Sequence, residues 1–103
     1  MGYTTTEAVT NELAEHLVML ADNDYDLYRL RVEPITKNLN RKIAKGIFDQ
    51  ELACKLLKYL MDDVVNKNYQ HFGTNRRYVM RYILTPGVRR KASAMWVDNF
   101  VNS

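Results

Sequence analysis

Basic and aromatic side chains are concentrated between residues 76 and 91, in the last third of the 103-residue chain. Residues 71–103 carry a net charge of +5, whereas residues 1–70 carry −2. Guanidinium groups beside tyrosines bind phosphates and stack on bases, and Arg and Tyr are equally the usual anchors of protein interfaces. Eight residues are therefore the candidate partner-binding surface: Arg76, Arg77, Tyr78, Arg81, Tyr82, Arg89, Arg90 and Lys91.

The spacing of these residues is helical. If the region forms a helix, Arg77 lies one turn before Arg81, and Tyr78 lies one turn before Tyr82. Residues 89–91 fall in the first turns of a predicted last helix, where the helix dipole disfavours positive charge. This unfavourable placement indicates a role in binding. The alternative is that the basic residues pair internally with acids of the N-terminal helices, such as Asp22, Asp24 and Asp26.

Four acids around residue 24 imitate a calcium-binding loop. Asp22, Asp24 and Asp26 occupy alternate positions, and Glu33 stands at the twelfth position, where such loops place a bidentate ligand. The sixth position holds Leu27, although a glycine makes the sharp turn there. A boundary between two helices explains the same residues, because Asp and Asn favour caps and turns. We therefore predict no metal ion here.

The other chemically active side chains are isolated from one another. His16 and His71 have no second metal ligand four residues away, and Cys54 lies in the apolar part of a predicted helix, as buried thiols do. The sequence contains no glycine-rich phosphate loop, nucleophile elbow or pair of catalytic carboxylates. It therefore predicts a protein that is not an enzyme and that holds no cofactor.

The elements that position these residues are predicted to be helices. Thr4 and Glu7 fit a capping box at the start of a first helix, which we expect to end near residues 22–24. Pro34 is expected to interrupt or restart the next helical stretch, because it lacks an amide donor. That stretch ends at Gly46, the typical left-handed residue past a helix end.

The longest predicted helix covers residues 49–72, with Asp49 as its N-cap and Gly73 as its stop. Its apolar residues spread over so wide a face that neighbours must pack on more than one side. We therefore expect it to be the central helix. Two acid-before-base pairs at i,i+4 spacing are expected to support it: Glu51–Lys55 and Asp63–Lys67.

Residues 76–84 suit a helix or a strand, because they are rich in β-branched and aromatic residues. A single strand would have no partner in this chain, so a helix is favoured. Thr85 and Pro86 then form the cap and first position of a last helix. The sequence thus predicts an all-α fold, a compact bundle of about five or six helices around the long central helix at residues 49–72, in one domain of residues 1–103.

Length and composition exclude several classes of protein. Hydrophobic residues make up 47% and charged residues 26% of the chain, as in ordinary globular domains. No apolar run approaches the roughly 18 residues that span a membrane, and the single cysteine excludes an internal disulfide. We therefore expect a cytoplasmic protein without a membrane partner. A net charge of +3 argues against an acidic DNA mimic and is low for a dedicated DNA binder.

Several short segments occur in a recognisable order: residues 38–42 (Asn-Leu-Asn-Arg-Lys), 45–49 (Lys-Gly-Ile-Phe-Asp), 59–62 (Tyr-Leu-Met-Asp) and 69–73, which end in Phe-Gly. This order resembles that of short helical proteins encoded by bacteriophages and prophages, and the resemblance covers most of the chain. It implies a phage origin and a shared helical fold. It brings no catalytic residues with it.

Two functions fit these observations. The first is a small non-catalytic phage-type accessory protein that binds and modulates a host protein complex, for example a defence nuclease that it inhibits, through the basic Arg/Tyr surface. The alternative is a nucleic-acid-binding module that uses the same surface. In both cases we expect the protein in the host bacterial cytoplasm. A homodimer is compatible with so small a core around a widely apolar helix.

Overall fold

The computed structural model describes the backbone of residues 2–102 and the side chains of residues 7–102. Within this range the chain is helical and has no strand, which confirms the predicted all-α fold. The α-helices are α1 (Gly2–Asn23), α2 (Tyr25–Leu27), α3 (Glu33–Ala44), α4 (Gln50–Asn68), α5 (Arg76–Tyr78) and α6 (Pro86–Val101). They are joined by a first π-helical segment (Tyr28–Val32), a 3₁₀ turn (Tyr69–Phe72) and a second π-helical segment (Val79–Ile83).

The core lies between α1, α4 and α6, which pack against one another. α4 runs antiparallel to α6, because Gln50 at its start bonds to Asp98 late in α6, whereas Asp62 pairs with Arg89 early in α6. α4 contacts both α1 and α6, as expected of the helix predicted at residues 49–72, but α6 contacts α1 and α4 at least as extensively and shares the centre of the bundle with it. The α-helix also ends at Asn68, earlier than predicted, and a 3₁₀ turn continues it to Phe72. Fully buried side chains from the three helices include Leu17, Leu57, Leu60, Met61, Val64 and Val97.

Most helix ends lie where the sequence predicts them. The Asp49 carboxylate accepts hydrogen bonds from the backbone N–H groups of the first turn of α4, at 3.0 and 3.3 Å. The Thr85 hydroxyl caps α6 in the same way. Gly46 and Gly73 adopt φ values of +72° and +74°, which residues with a Cβ atom rarely adopt. α1 begins at Gly2, before the predicted capping box at Thr4, whose side chain lies outside the described part.

Pro34 restarts the helix, which is one of the two outcomes expected of it. The first π-helical segment precedes it, and the N–H of Glu33 donates to the carbonyl of Tyr28, five residues back. Pro34 therefore occupies the first turn of α3, where a missing N–H leaves no bond unmade. The chain from Tyr25 to Ala44 continues as one helical stretch with a wider turn in its middle.

The predicted i,i+4 ion pairs of α4, Glu51–Lys55 and Asp63–Lys67, do not form within the described side chains, and both members of the second pair have tertiary partners instead. Asp63 pairs with Arg31 of the first π-helical segment. Lys67 pairs with Asp24 at 2.7 Å and with Asp26 at 3.6 Å. These ion pairs connect α4 to α2 and to the first π-helical segment. The charges of α4 therefore contact neighbouring elements rather than one another.

Candidate basic interface

A short helical segment holds residues 76–84 against the bundle. After Gly73 turns the chain, the Asn75 side chain caps α5 by accepting a hydrogen bond of 2.9 Å from the N–H of Tyr78. Val79 and Leu84 are fully buried and anchor the segment in the core. The helix predicted here is confirmed, with a π-helical turn as its second half. The remaining side chains of the segment are thereby displayed on a packed support.

Two tyrosines and one arginine form a contiguous exposed cluster. The rings of Tyr78 and Tyr82 lie 5.0 Å apart at an angle of 45°. The guanidinium carbon of Arg81 lies 5.5 Å from the centroid of the Tyr82 ring, within the range of a cation–π contact. Because these side chains already contact one another, binding a partner costs less side-chain entropy than it would for three independent groups.

Four basic side chains of the predicted surface are exposed: Arg77, Arg81, Arg90 and Lys91. Within the described part of the chain, none of them lies within ion-pairing distance of an acid. Arg76 is exposed as well, and its Nε donates to the neutral side-chain oxygen of Asn66. The positive charge of this region is therefore available to a partner.

Arg89 does not lie on this surface, contrary to the prediction. Its side chain is buried, with the residue only 8% exposed. Its Nε donates to the Leu84 carbonyl at 3.0 Å, its Nη1 to the Asp62 carboxylate at 2.5 Å, and its Nη2 to the Met80 carbonyl at 3.5 Å. Carbonyls at the end of a helical segment lack partners within that segment. Arg89 donates hydrogen bonds to two such carbonyls at the end of the second π-helical segment. Its position in the first turn of α6 thus has a structural cause.

The acids near residue 24 have other partners than the basic surface. Asp24 and Asp26 pair with Lys67, and Asp22 accepts a hydrogen bond of 3.2 Å from the Trp96 indole N–H. The alternative in which the basic residues pair with these three acids is therefore wrong. Among the described side chains, one position of the predicted surface pairs internally: Arg89, through Asp62.

The ion pair between Asp24 and Lys67 perturbs both groups. The hydrogen bond from Lys67 lowers the pKa of the Asp24 carboxyl, and the backbone N–H of Leu27, 3.1 Å away, lowers it further. The same hydrogen bond raises the pKa of Lys67. Asp24 also caps α2, which confirms the predicted helix boundary at these residues.

The structure also locates the groups that could hold a metal ion or react. Among the described side chains, no three His, Cys, Asp or Glu residues are placed to bind a metal ion. Cys54 is half-buried, and burial raises the pKa of its thiol, with Asp98 and Glu51 raising it further. A raised pKa disfavours the thiolate, which is the reactive form.

A groove of about 340 Å³ adjoins the tyrosine cluster, which the sequence did not indicate. Tyr82, Ile83 and Val88 form one wall, and Val9 and Leu13 of α1 form the other. The side-by-side packing of α1 and α6 creates this groove, and no local sequence signal reports that packing. It extends the basic surface with an apolar floor.

Between residues 2 and 102, no helix combines the length and the apolar character that crossing a membrane requires. No family model matches the chain, and neither a curated protein nor a solved structure does.

Proposed function

We propose that this chain is a small non-catalytic accessory protein that binds and modulates a host protein complex through the basic surface. Here that surface comprises Arg76, Arg77, Tyr78, Arg81, Tyr82, Arg90 and Lys91, without the buried Arg89. The host assignment, its cytoplasmic setting and the example of a defence nuclease rest on the resemblance to bacteriophage proteins. The binding assignment rests on the geometry of the surface.

One observation carries the proposal: residues 76–91 present four exposed basic side chains, with no acidic partner among the described residues, together with two exposed tyrosines whose rings lie 5.0 Å apart. Their charges repel one another in the free protein, and an acidic partner relieves this repulsion and accelerates encounter. The tyrosines and the apolar groove beside them supply area that is desolvated on contact, which is what protein interfaces use as anchors. Charge and apolar area therefore favour the same acidic protein partner.

Binding of nucleic acid through the same surface is the second candidate. The Tyr82 ring is covered in part by Tyr78 and Arg81, whereas bases stack on open ring faces. The burial of Arg89 also removes one phosphate-binding group from a set that is small for a nucleic-acid interface. These two points favour the proposal of a protein partner.

The test is capture of partners from a bacterial lysate with matched charge-reversal variants of the full chain. Arg77→Glu/Arg81→Glu changes the surface, and Lys37→Glu/Arg41→Glu makes the same charge change at exposed i,i+4 positions of α3. We expect the surface variant to capture at least tenfold less of a partner protein than the control variant does. Equal retention by both variants would contradict the proposal.

Fluorescence anisotropy with labelled duplex DNA, single-stranded DNA and RNA separates the second candidate. Nucleic-acid binding predicts an affinity whose logarithm falls steeply with the logarithm of salt concentration, with a smaller slope in Arg77→Glu/Arg81→Glu. We expect that any nucleic-acid binding is weakened equally by this variant and by the α3 control. Circular dichroism of each variant verifies that the helices are intact.

A further inference from the structure

Arg89 contacts the backbone of the second π-helical segment from inside the fold. Its Nε donates to the Leu84 carbonyl at 3.0 Å, and its Nη2 donates to the Met80 carbonyl at 3.5 Å. Arg81 and Tyr82 lie between these two carbonyls in the chain, and both are exposed. One buried side chain therefore holds the backbone on both sides of two residues that the proposed function assigns to the partner.

The guanidinium group of Arg89 is itself held by α4. Its Nη1 donates to the Asp62 carboxylate at 2.5 Å, and the whole residue is only 8% exposed. A guanidinium group is planar and rigid, so the directions of its N–H bonds are fixed relative to one another. Because Asp62 orients one edge of the group, it also restricts the positions of the two carbonyls that accept from the other N–H groups.

The second π-helical segment ends at the point where Arg89 supports it. The Leu84 N–H donates to the Val79 carbonyl, five residues back, at 2.7 Å, and the chain leaves the helical conformation at Leu84. Burial of the Val79 and Leu84 side chains attaches the segment to the core at these two points. Wider turns of this kind are rare in proteins and occur frequently at functional sites.

The exposed cluster depends on the orientation of this backbone. The Tyr82 ring lies 5.0 Å from the Tyr78 ring, and the Arg81 guanidinium carbon lies 5.5 Å from the centroid of the Tyr82 ring. Rotation of the backbone at residues 81 and 82 would move two members of the cluster relative to Tyr78, which precedes the π-helical turn. Side chains that are no longer held together lose more entropy on binding, so the affinity falls without any change in charge.

We propose that Arg89 is a positioning residue for the basic surface: held by Asp62 within the fold, it fixes the backbone that displays Arg81 and Tyr82. This role rests on the proposed function, because the surface that Arg89 positions is the one assigned to the partner. Arg89 itself stays buried beneath the surface and makes no contact with the partner.

Arg89→Lys separates this role from a general contribution to stability. Lysine keeps the positive charge and the pair with Asp62, but its compact ammonium group does not reproduce the fixed set of bonds to the two carbonyls. Leu39→Ala is the matched control, because Leu39 is buried in α3 and its truncation lowers stability without removing a hydrogen bond of the segment. Circular dichroism verifies that the helices of both variants are intact.

Hydrogen exchange followed by NMR measures the positioning without a partner. In Arg89→Lys we expect the exchange of the Leu84 N–H to accelerate about tenfold more than that of the Val64 N–H in α4. In Leu39→Ala the two amides should accelerate alike, since a loss of global stability opens both of them. The same pattern in both variants would show that lost stability accounts for the effect and would overturn the proposal.

Capture from a bacterial lysate by the full chain connects the positioning to binding. We expect Arg89→Lys to capture about fivefold less of a partner protein than Leu39→Ala does, at an unchanged net charge. Undiminished capture by Arg89→Lys, where Arg77→Glu/Arg81→Glu loses the protein, would overturn the positioning role and leave the proposed function standing. Undiminished capture by both of these variants would overturn both proposals.

Asp62→Asn tests the same network from α4 and leaves Arg89 in place. A neutral amide oxygen accepts a weaker hydrogen bond from a guanidinium group than a carboxylate does, so we expect a smaller acceleration of the Leu84 N–H, about threefold. Asp63→Asn makes the same change at the next position, where the partner is Arg31, and should leave this exchange unchanged. Equal effects of the two substitutions would contradict the role of Asp62 and Arg89.

Discussion

Replacing Arg89 with methionine should strongly destabilise the fold, whereas the same change at the next residue, Arg90, should not. Arg89 is buried and donates to Asp62 and to the carbonyls of Leu84 and Met80. Arg90 is exposed and has no ion pair in the described part of the chain. Methionine keeps most of the aliphatic volume, so the difference between the two variants isolates the guanidinium group.

The magnitude follows from the three bonds. A hydrogen bond to a charged group contributes about 1.5–3 kcal/mol, and a bond from a charged donor to a buried carbonyl adds to this at 3.0 Å but little at 3.5 Å. The Asp62 side chain is partly exposed, so water solvates it in the variant and reduces the cost below that of a fully buried pair. We expect Arg89→Met to lower the free energy of unfolding by about 3 kcal/mol and Arg90→Met by less than about 0.5 kcal/mol.

Urea unfolding followed by Trp96 fluorescence measures both variants, since Trp96 is nearly buried in the core. The midpoint of Arg89→Met should fall by about 1–3 M urea at an unchanged m-value. In a double-mutant cycle, Asp62→Asn should cost less in the Arg89→Met background than in the wild type. Equal stabilities of the Arg89→Met and Arg90→Met variants, or strict additivity with Asp62→Asn, would refute the assignment of Arg89 to the fold.

Three further changes test other contacts. Asp24→Asn keeps a capping side chain but removes the ion pair with Lys67. Because the pKa of Asp24 is lowered in the folded state, the wild type should be more stable than the variant at pH 7. Urea unfolding at several pH values should show this difference in stability vanish as the pH falls through the range in which carboxyl groups titrate. Equal pH profiles would contradict the assigned pKa direction. Asp49→Ala should cost about 1 kcal/mol through loss of the α4 cap, measured by thermal unfolding against a Lys58→Ala control at an exposed position of the same helix. Cys54 should react with a thiol reagent several-fold more slowly in the folded chain than in urea, because burial raises its pKa; equal rates would show an open thiol.

Residues close together in the sequence determined the helix boundaries. Caps and stops act over two to four residues, so Asp49, Thr85, Gly46 and Gly73 could be assigned from the sequence. The apolar pattern of residues 49–72 likewise indicated a helix packed on more than one side, and α4 occupies that position. Pro34 indicated the start of a helix, but the π-helical turn before it was not predicted, since no residue pattern specified a bond from Glu33 to a carbonyl five residues back.

Only the tertiary structure decided which charged side chains are available to a partner. Arg89 and Arg90 are adjacent and chemically identical, and the one that faces inward is selected by Asp62, which lies 27 positions away in α4. The same holds for the charges of α4, which pair across the fold rather than along the helix. The spacing of residues in the sequence determines which face of a helix each one occupies, but tertiary packing determines what covers that face.

The apolar residues of α4 also show what the sequence determines and what packing determines. The apolar stripe at Leu52, Leu56 and Tyr59 is a sequence pattern that ordinarily means core. In the folded protein these three side chains nevertheless remain exposed, at 46%, 40% and 65%. The amino-acid sequence by itself determined the helices and the overall positive charge of the last third. Their packing decided which basic and apolar groups remain exposed, since exposure depends on residues that are distant in the chain.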